Sequence, residues 1–116
     1  MAESSDIKLR AREYLIKTGE IDNNLYWLKG GSMQVIIPKK DGDKVVGQIT
    51  EGELVGEMSF MDGKPRSASV MALTPCTLMK IPASQFEEIL AKQPKWFQVL
   101  VMTVIERLRN TNQMVR

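Results

Sequence analysis

Up to Pro82 the apolar residues fall in short runs divided by glycine, proline, asparagine and aspartate, and beyond it they recur three and four apart. The first pattern predicts strands and the second predicts helices, a mainly β chain with C-terminal helices. Between Ile7 and Lys17, Leu9, Ala11, Tyr14 and Ile16 are expected along one side of paired strands, with Arg10, Arg12 and Lys17 on a solvated face. Thr18-Gly19-Glu20 then turns the chain. Asn23-Asn24 precede an aromatic-rich strand, Leu25-Tyr26-Trp27-Leu28, that stops at Gly30-Gly31. Met33, Val35 and Ile37 alternate with Ser32, Gln34 and Ile36 as far as Pro38, the pattern of a half-buried strand. Asp41-Gly42, inside a charged tip, predicts a hairpin into Val45-Val46-Gly47-Gln48-Ile49.

Two further short strands are expected over residues 68–73 and 76–81, joined at Thr74-Pro75. From Ala83 the apolar residues Phe86, Ile89 and Leu90 share a helix face, with Ser84 as N-cap and Glu87 as its capping-box partner. Gln93-Pro94 ends that helix. A second begins at Pro94 or Lys95 and carries Phe97, Leu100, Val101, Val104, Ile105 and Leu108 on one side. Val99, Met102 and Met114 fall outside this stripe, so the apolar coverage is wider than a lone surface helix requires.

Chemistry concentrates between Gly52 and Val70. Gly52 and Gly56 bracket Leu54-Val55 and allow sharp turns, after which the N–H groups of Met58, Ser59 and Phe60 are expected at a helix start, which attracts anions. The turn Asp62-Gly63-Lys64-Pro65 is expected to fold Arg66 back toward Glu57. Arginine grips two oxygens of a phosphate at once. A carboxylate repels phosphate, so Glu57 is suited instead to accept a hydrogen bond from a hydroxyl beside it, as a ribose 2′-OH offers. The competing interpretation is a surface ion pair worth about 0–1 kcal/mol, with glycines serving turns.

Gly56-Glu57-Met58-Ser59-Phe60 followed by Pro65-Arg66-Ser67-Ala68-Ser69-Val70 resembles the phosphate-binding cassette of the cyclic nucleotide-binding domain family, which includes the bacterial catabolite activator protein and the regulatory subunits of protein kinase A. Gly19-Glu20, Leu25-Tyr26-Trp27-Leu28 and Gly31-Ser32-Met33 are similar to the family's early turn and second strand. The resemblance implies a β jelly-roll barrel over about residues 7–82, helices over about 83–116, and cAMP or cGMP as ligand. It implies that Gly56, Glu57, Met58, Ser59, Arg66 and Ser67 form the phosphate and ribose site, that Val35, Val46 and Gly47 lie near the base, and that Thr111 and Asn112 reach the purine. Ser67 stands where family members that prefer cAMP tolerate serine, which favours cAMP. A relative pairing its last helix with its twin implies a homodimer through this helix. A barrel that has lost its ligand and serves only for dimerisation is the alternative, as is a cGMP-selective sensor.

Composition narrows the classes further. The 116 residues suffice for one domain with a single core, so any output domain or partner lies elsewhere. With 16 basic against 14 acidic residues there is no broad basic footprint, and direct nucleic-acid binding is not expected. The chain contains no histidine, which excludes Ser-His and Cys-His catalysis and histidine metal sites; a sensor is expected, not an enzyme, with no metal and no cofactor. Cys76 is the single cysteine and sits in an apolar segment, so a core role is expected. The apolar runs are short for a membrane span and the first residues are polar, from which a cytoplasmic location is expected.

Overall fold

The structure, a computed structural model, describes residues 5–56 and 65–115, at backbone level only for 5, 109 and 111–115. Its β strands among the described residues are β1 (Ser5–Leu9), β2 (Tyr14–Ile16), β3 (Leu25–Gly30), β4 (Met33–Ile37), β5 (Lys44–Ile49), β6 (Leu54–Val55), β7 (Ser69–Ala72) and β8 (Cys76–Ile81). Helices α1 (Ala83–Ala91) and α2 (Lys95–Val115) follow. The chain divides into two units, Met1–Ala83 and Ser84–Arg116.

The strands form two antiparallel sheets, ordered β1-β8-β3-β6 and β2-β7-β4-β5. Four of the pairings nest. The innermost is the β4–β5 hairpin, and around it β3 pairs with β6, β2 with β7 and β1 with β8. The chain thus folds as one long double ribbon whose tip is the Asp41-Gly42 turn, and the β3–β8 and β4–β7 pairings join the ribbon laterally into a jelly roll. Both sheets feed one core: Ile16, Tyr26, Leu28, Met33, Val55, Val70, Ala72, Cys76 and Leu78 cluster out of water. Cys76 is buried as its apolar setting predicts.

Several sequence expectations change in detail. β1 and β2 do not pair with each other, because the ribbon sends them to different sheets, and Ala11 sits in the turn between them. Only Ile16 of the expected row is fully buried, while Tyr14 is exposed. Along β4 the inward residues are Met33 and Ile36, not Met33, Val35 and Ile37. The register against β5 shifts between Val35 and Ile36, and such a bulge turns the following side chains to the other face. Helix α1 opens at Ala83, directly after Pro82, so Ser84 lies inside the first turn instead of capping it.

Helix α2 starts at Lys95, and the Pro94 carbonyl accepts from the N–H groups of Phe97 and Gln98. The stripe least exposed to water is Gln98, Val101, Ile105 and Leu108, whereas Phe97, Leu100 and Val104 are exposed together with Trp96, Val99 and Met102. The expected stripe shares Val101, Ile105 and Leu108 with the observed one but is offset from it by about a seventh of a turn, because two apolar faces share the helix and periodicity alone does not say which is covered.

Gly31 marks the tightest backbone approach in this unit. It holds φ +99°, and a Cβ there would lie 2.5 Å from the Pro75 carbonyl oxygen and 2.8 Å from Cys76 Sγ. Gly30 beside it has open space at the same position. Gly31→Ala is expected to destabilise the domain by about 3 kcal/mol, combining left-handed strain with a backbone clash, whereas Gly30→Ala stays within about 1 kcal/mol. Urea denaturation of the two variants measures the difference.

Candidate functional site: a buried guanidinium at one corner of the ribbon

The nesting of strands decides what meets Arg66. Because β2 pairs with β7 and β3 with β6, the β2–β3 and β6–β7 connections turn the same corner of the ribbon. Arg66, in the second connection, is accordingly held by the first. Its N–H donates to the Glu20 carbonyl (2.8 Å) and its carbonyl accepts from Gly19 N–H (2.8 Å). The turn itself is anchored to the start of β7, where Ser69 Oγ accepts from Thr18 N–H at 2.9 Å.

With its backbone clamped, the Arg66 side chain runs inward, and only 3% of it is exposed. Nη1 donates to the Gly56 carbonyl (2.9 Å) and Nη2 to the Asn24 carbonyl (2.8 Å), while Asp22 Oδ1 lies 3.5 Å from Nη2. Nε is buried with no hydrogen-bond partner among the described residues. Gly56 holds φ +83°, and a Cβ there would overlap Nη1, so glycine is required both for the turn and for the guanidinium to reach its carbonyl.

Asp22 is itself fixed from three directions. Oδ1 accepts from Asn24 N–H (2.9 Å) and Asn24 Nδ2 (2.7 Å), and Oδ2 accepts from the Tyr26 hydroxyl (2.8 Å). Burial is the largest single influence on its carboxyl and pushes it up, but the bonds from Asn24 and Tyr26 and the charge of Arg66 together outweigh burial and hold it below its ordinary value. Burial, then the Asp22 acceptor and its charge, push the Tyr26 hydroxyl up to about 12.

Chemically the corner presents a desolvated cation whose Nη groups each donate to a backbone carbonyl, with Nε buried and unpaired among the described residues. A hollow of about 520 Å³ beside it is lined by Leu15, Glu20, Ile21, Asp22, Asn23 and Asn24. Two carboxylates on that lining, Glu20 and Asp22, make it a poor berth for phosphate.

The other sequence-predicted residues fall as follows. Gly56 and Arg66 are brought into direct contact, and Ser67 is exposed next to the arginine. Val35 and Gly47 face each other across the β4–β5 pair, and a Cβ on Gly47 would touch only Val35, at 3.8 Å. Val46 is about half exposed. Glu57, Met58 and Ser59, with the expected helix start and the Glu57–Arg66 approach, lie outside the described residues. Thr111 and Asn112 fall on α2, but their side chains lie outside the description. Sequence reasoning missed Asp22, Asn24 and Tyr26. The available signal was Asp22-Asn23-Asn24, since an aspartate that bonds the N–H two residues on makes an Asx turn.

The description "cyclic nucleotide-binding domain" matches residues 6–93. The chain belongs to that family. Among curated relatives, the cAMP-activated global transcriptional regulator CRP of Pasteurella multocida is 30% identical over 110 residues, covering 93% of this chain and 53% of the relative. The cAMP-dependent protein kinase regulatory subunit of Debaryomyces hansenii is 33% identical over 76 residues, covering 66% and 16%. This cyclic nucleotide-binding domain thus spans about half the length of the transcriptional regulator it matches and a much smaller share of the kinase subunit. Among solved structures, the EAL enzyme Bd1971 in its halfsite-occupied form superposes with TM-score 0.84 at 26% identity, covering 94% of this chain and 98% of that one. Its cAMP-bound form gives TM-score 0.75 at 25% identity, covering 96% and 30%.

The Tyr26 hydroxyl supplies a pH signature. A folded pKa raised above the unfolded one gives stability that is complete below the unfolded value and disappears as pH climbs through the folded value. Stability is therefore expected to fall between the ordinary 10.0 and about 12. Chemical denaturation at a series of alkaline pH values should show this decline in the native chain and a shallower one in Tyr26→Phe.

Proposed function

We propose that this domain binds a cyclic nucleotide, cAMP in preference to cGMP, and regulates an output domain or partner rather than catalysing a reaction. The observation that carries the reading is the buried Arg66 guanidinium with its Nε–H unpaired among the described residues, at the position of the family's cassette arginine. A desolvated cation of this kind favours an anion strongly, because charge-assisted bonds strengthen away from water.

In this reading Arg66 and the N–H groups of Met58 to Phe60 hold the cyclic phosphate, with Gly56 turning the chain toward it. Glu57 accepts from the ribose 2′-OH, and Ser67 adds a phosphate or base contact. Val35, Val46 and Gly47 face the base, and Thr111 and Asn112 meet the purine. Relatives whose names carry cAMP support the ligand class: the transcriptional regulator and the kinase regulatory subunit above, and the solved structure with cAMP bound. A cGMP-bound form of that same structure keeps cGMP in view as the second ligand. Ligand moves the last helix only by as much as it binds one arrangement better than another.

Dimerisation through α2 belongs to the same proposal. Trp96, Phe97, Val99, Leu100, Met102 and Val104 all expose apolar surface on this helix, and a second copy is the occupant that the two-fold reading supplies.

Titration calorimetry with cAMP should show Arg66→Ala weakened by roughly 2–5 kcal/mol, the loss expected for one partner of a buried charged pair. Unchanged binding removes the role given to Arg66. A thermal shift comparing cAMP, cGMP and no ligand tests the class as a whole: ligand at about 100 times Kd adds about 2.7 kcal/mol of stability, whereas a barrel serving only for dimerisation shows no shift with either nucleotide. Met102→Glu should move the sedimentation profile toward monomer.

A further inference from the structure

We infer that the outer edge of β1 is a self-recognition site, at which β1 of a second copy of this chain adds antiparallel and joins the two β1-β8-β3-β6 sheets into one continuous sheet. The contact uses neither the residues assigned to the nucleotide nor α2, so it stands or falls apart from the proposed function.

An edge strand offers backbone N–H and C=O groups to any strand that can align with it, and folds discourage such pairing with short edges, bulges, glycine or proline. The two sheets end on β1 and β6, and on β2 and β5. Three of these carry a discouraging feature. β6 is two residues long, β2 is three long with a register shift between Tyr14 and Ile16, and β5 contains Gly47 and shifts register against β4 beside it. β1 differs: its five residues, Ser5-Asp6-Ile7-Lys8-Leu9, include neither glycine nor proline and pair with β8 in unbroken register from Ser5 with Lys80 to Leu9 with Cys76. Among the described residues no second strand pairs with it.

The side chains select the occupant. Asp6 and Lys8 are exposed on either side of Ile7, while Ile7 and Leu9 pack against the core and stay only partly buried. A two-fold axis through Ile7 sets it opposite its own copy, with Asp6 opposite the second copy's Lys8 and Lys8 opposite the second copy's Asp6. Both opposite-charge pairs then share the solvent face, in the direct cross-strand position where they attract. Parallel pairing in register sets like charges side by side, and a slip of one residue sets Lys8 opposite Ile7, on the wrong face. Charge on an edge ordinarily keeps a second copy away, whereas this order of charges admits one in a single register. Asp6 already meets Lys29 Nζ at 3.2 Å, but these side chains are 47% and 38% exposed, and an exposed pair is weak enough to leave the carboxylate open to a second cation. Lys8 has no ion pair among the described residues. The added strand also covers the flanks of Ile7 and Leu9 that β8 leaves open.

The test is sedimentation velocity on the full chain over a concentration series up to about 1 mM, the range of a small contact, in the Met102→Glu background so that association through α2 is read separately. A monomer–dimer equilibrium is expected to remain there. Asp6→Lys and Lys8→Asp should each raise its Kd at least tenfold, because each turns two attractive cross-strand pairs into two repulsive ones. The double variant Asp6→Lys/Lys8→Asp should return to within about threefold of the starting value, and an equimolar mixture of the two single variants should associate when neither does alone. Recovery in the double variant or the mixture also shows that the reversals left the fold intact. Should a reversal fail to fold, Lys8→Gln carries the same readout and is expected to weaken association about fivefold. A chain that stays monomeric throughout, single reversals within about twofold of the starting Kd, a loss that neither the double variant nor the mixture recovers, or an unchanged Lys8→Gln overturns the inference. Nucleotide binding enters none of these readouts, so its failure leaves them standing.

Discussion

A single positive charge taken out of water constrains this structure more than any other group in it. Burying a guanidinium is costly unless its donors meet oxygen, and Arg66 meets it with its two Nη groups from two loops far apart in the chain, Gly56 on one side and Asn24 and Asp22 on the other, while Nε is left unpaired among the described residues. The positive φ of Gly56, the Asx turn at Asp22 and the clamp of Gly19 and Glu20 on the Arg66 backbone follow from that requirement. The corner is costly to build for stability alone.

Much of the architecture was legible in the residues because it is set locally. The Asp41-Gly42 turn fixed the tip of the ribbon, the aromatic run at Leu25–Gly30 became β3, and the change of period after Pro82 became α1 and α2. What was not legible was whatever depends on partners distant in sequence. No local pattern says that β1 and β2 separate into different sheets, since that follows from the nesting of strands after the hairpin tip has formed. The β4 bulge reads as plain alternation until the β5 register is known. On α2 two apolar faces compete, and burial selected the one through Ile105.

The candidate site divides in the same way. Gly56 and Arg66 carry a recognisable spacing, and the structure brings them into contact. Asp22 and Tyr26 carry no motif that sequence reasoning used, because an aspartate in a turn and a tyrosine in a strand have commoner explanations. Their approach to the arginine emerges only when the ribbon lays one connection against the other, which puts the Asp22 carboxylate 3.5 Å from Arg66 Nη2 across a separation of more than forty positions. Second supports of a binding group are generally harder to read than the group itself, since many residue types can provide them.

The nested ribbon also bears on how the chain reaches its folded form. A hairpin that begins at β4–β5 closes only a short loop, whereas the outermost pairing, β1 with β8, joins segments separated by most of the barrel's length. Loop-closure entropy then favours zipping outward from the tip, with the termini of the barrel docking last. The corner that holds Arg66 lies between these extremes, so its cation is sequestered only after the inner strands have registered. Mispairing at the tip would leave that charge stranded in a half-built interior, which makes faithful nucleation of one short hairpin a condition for the whole domain's yield.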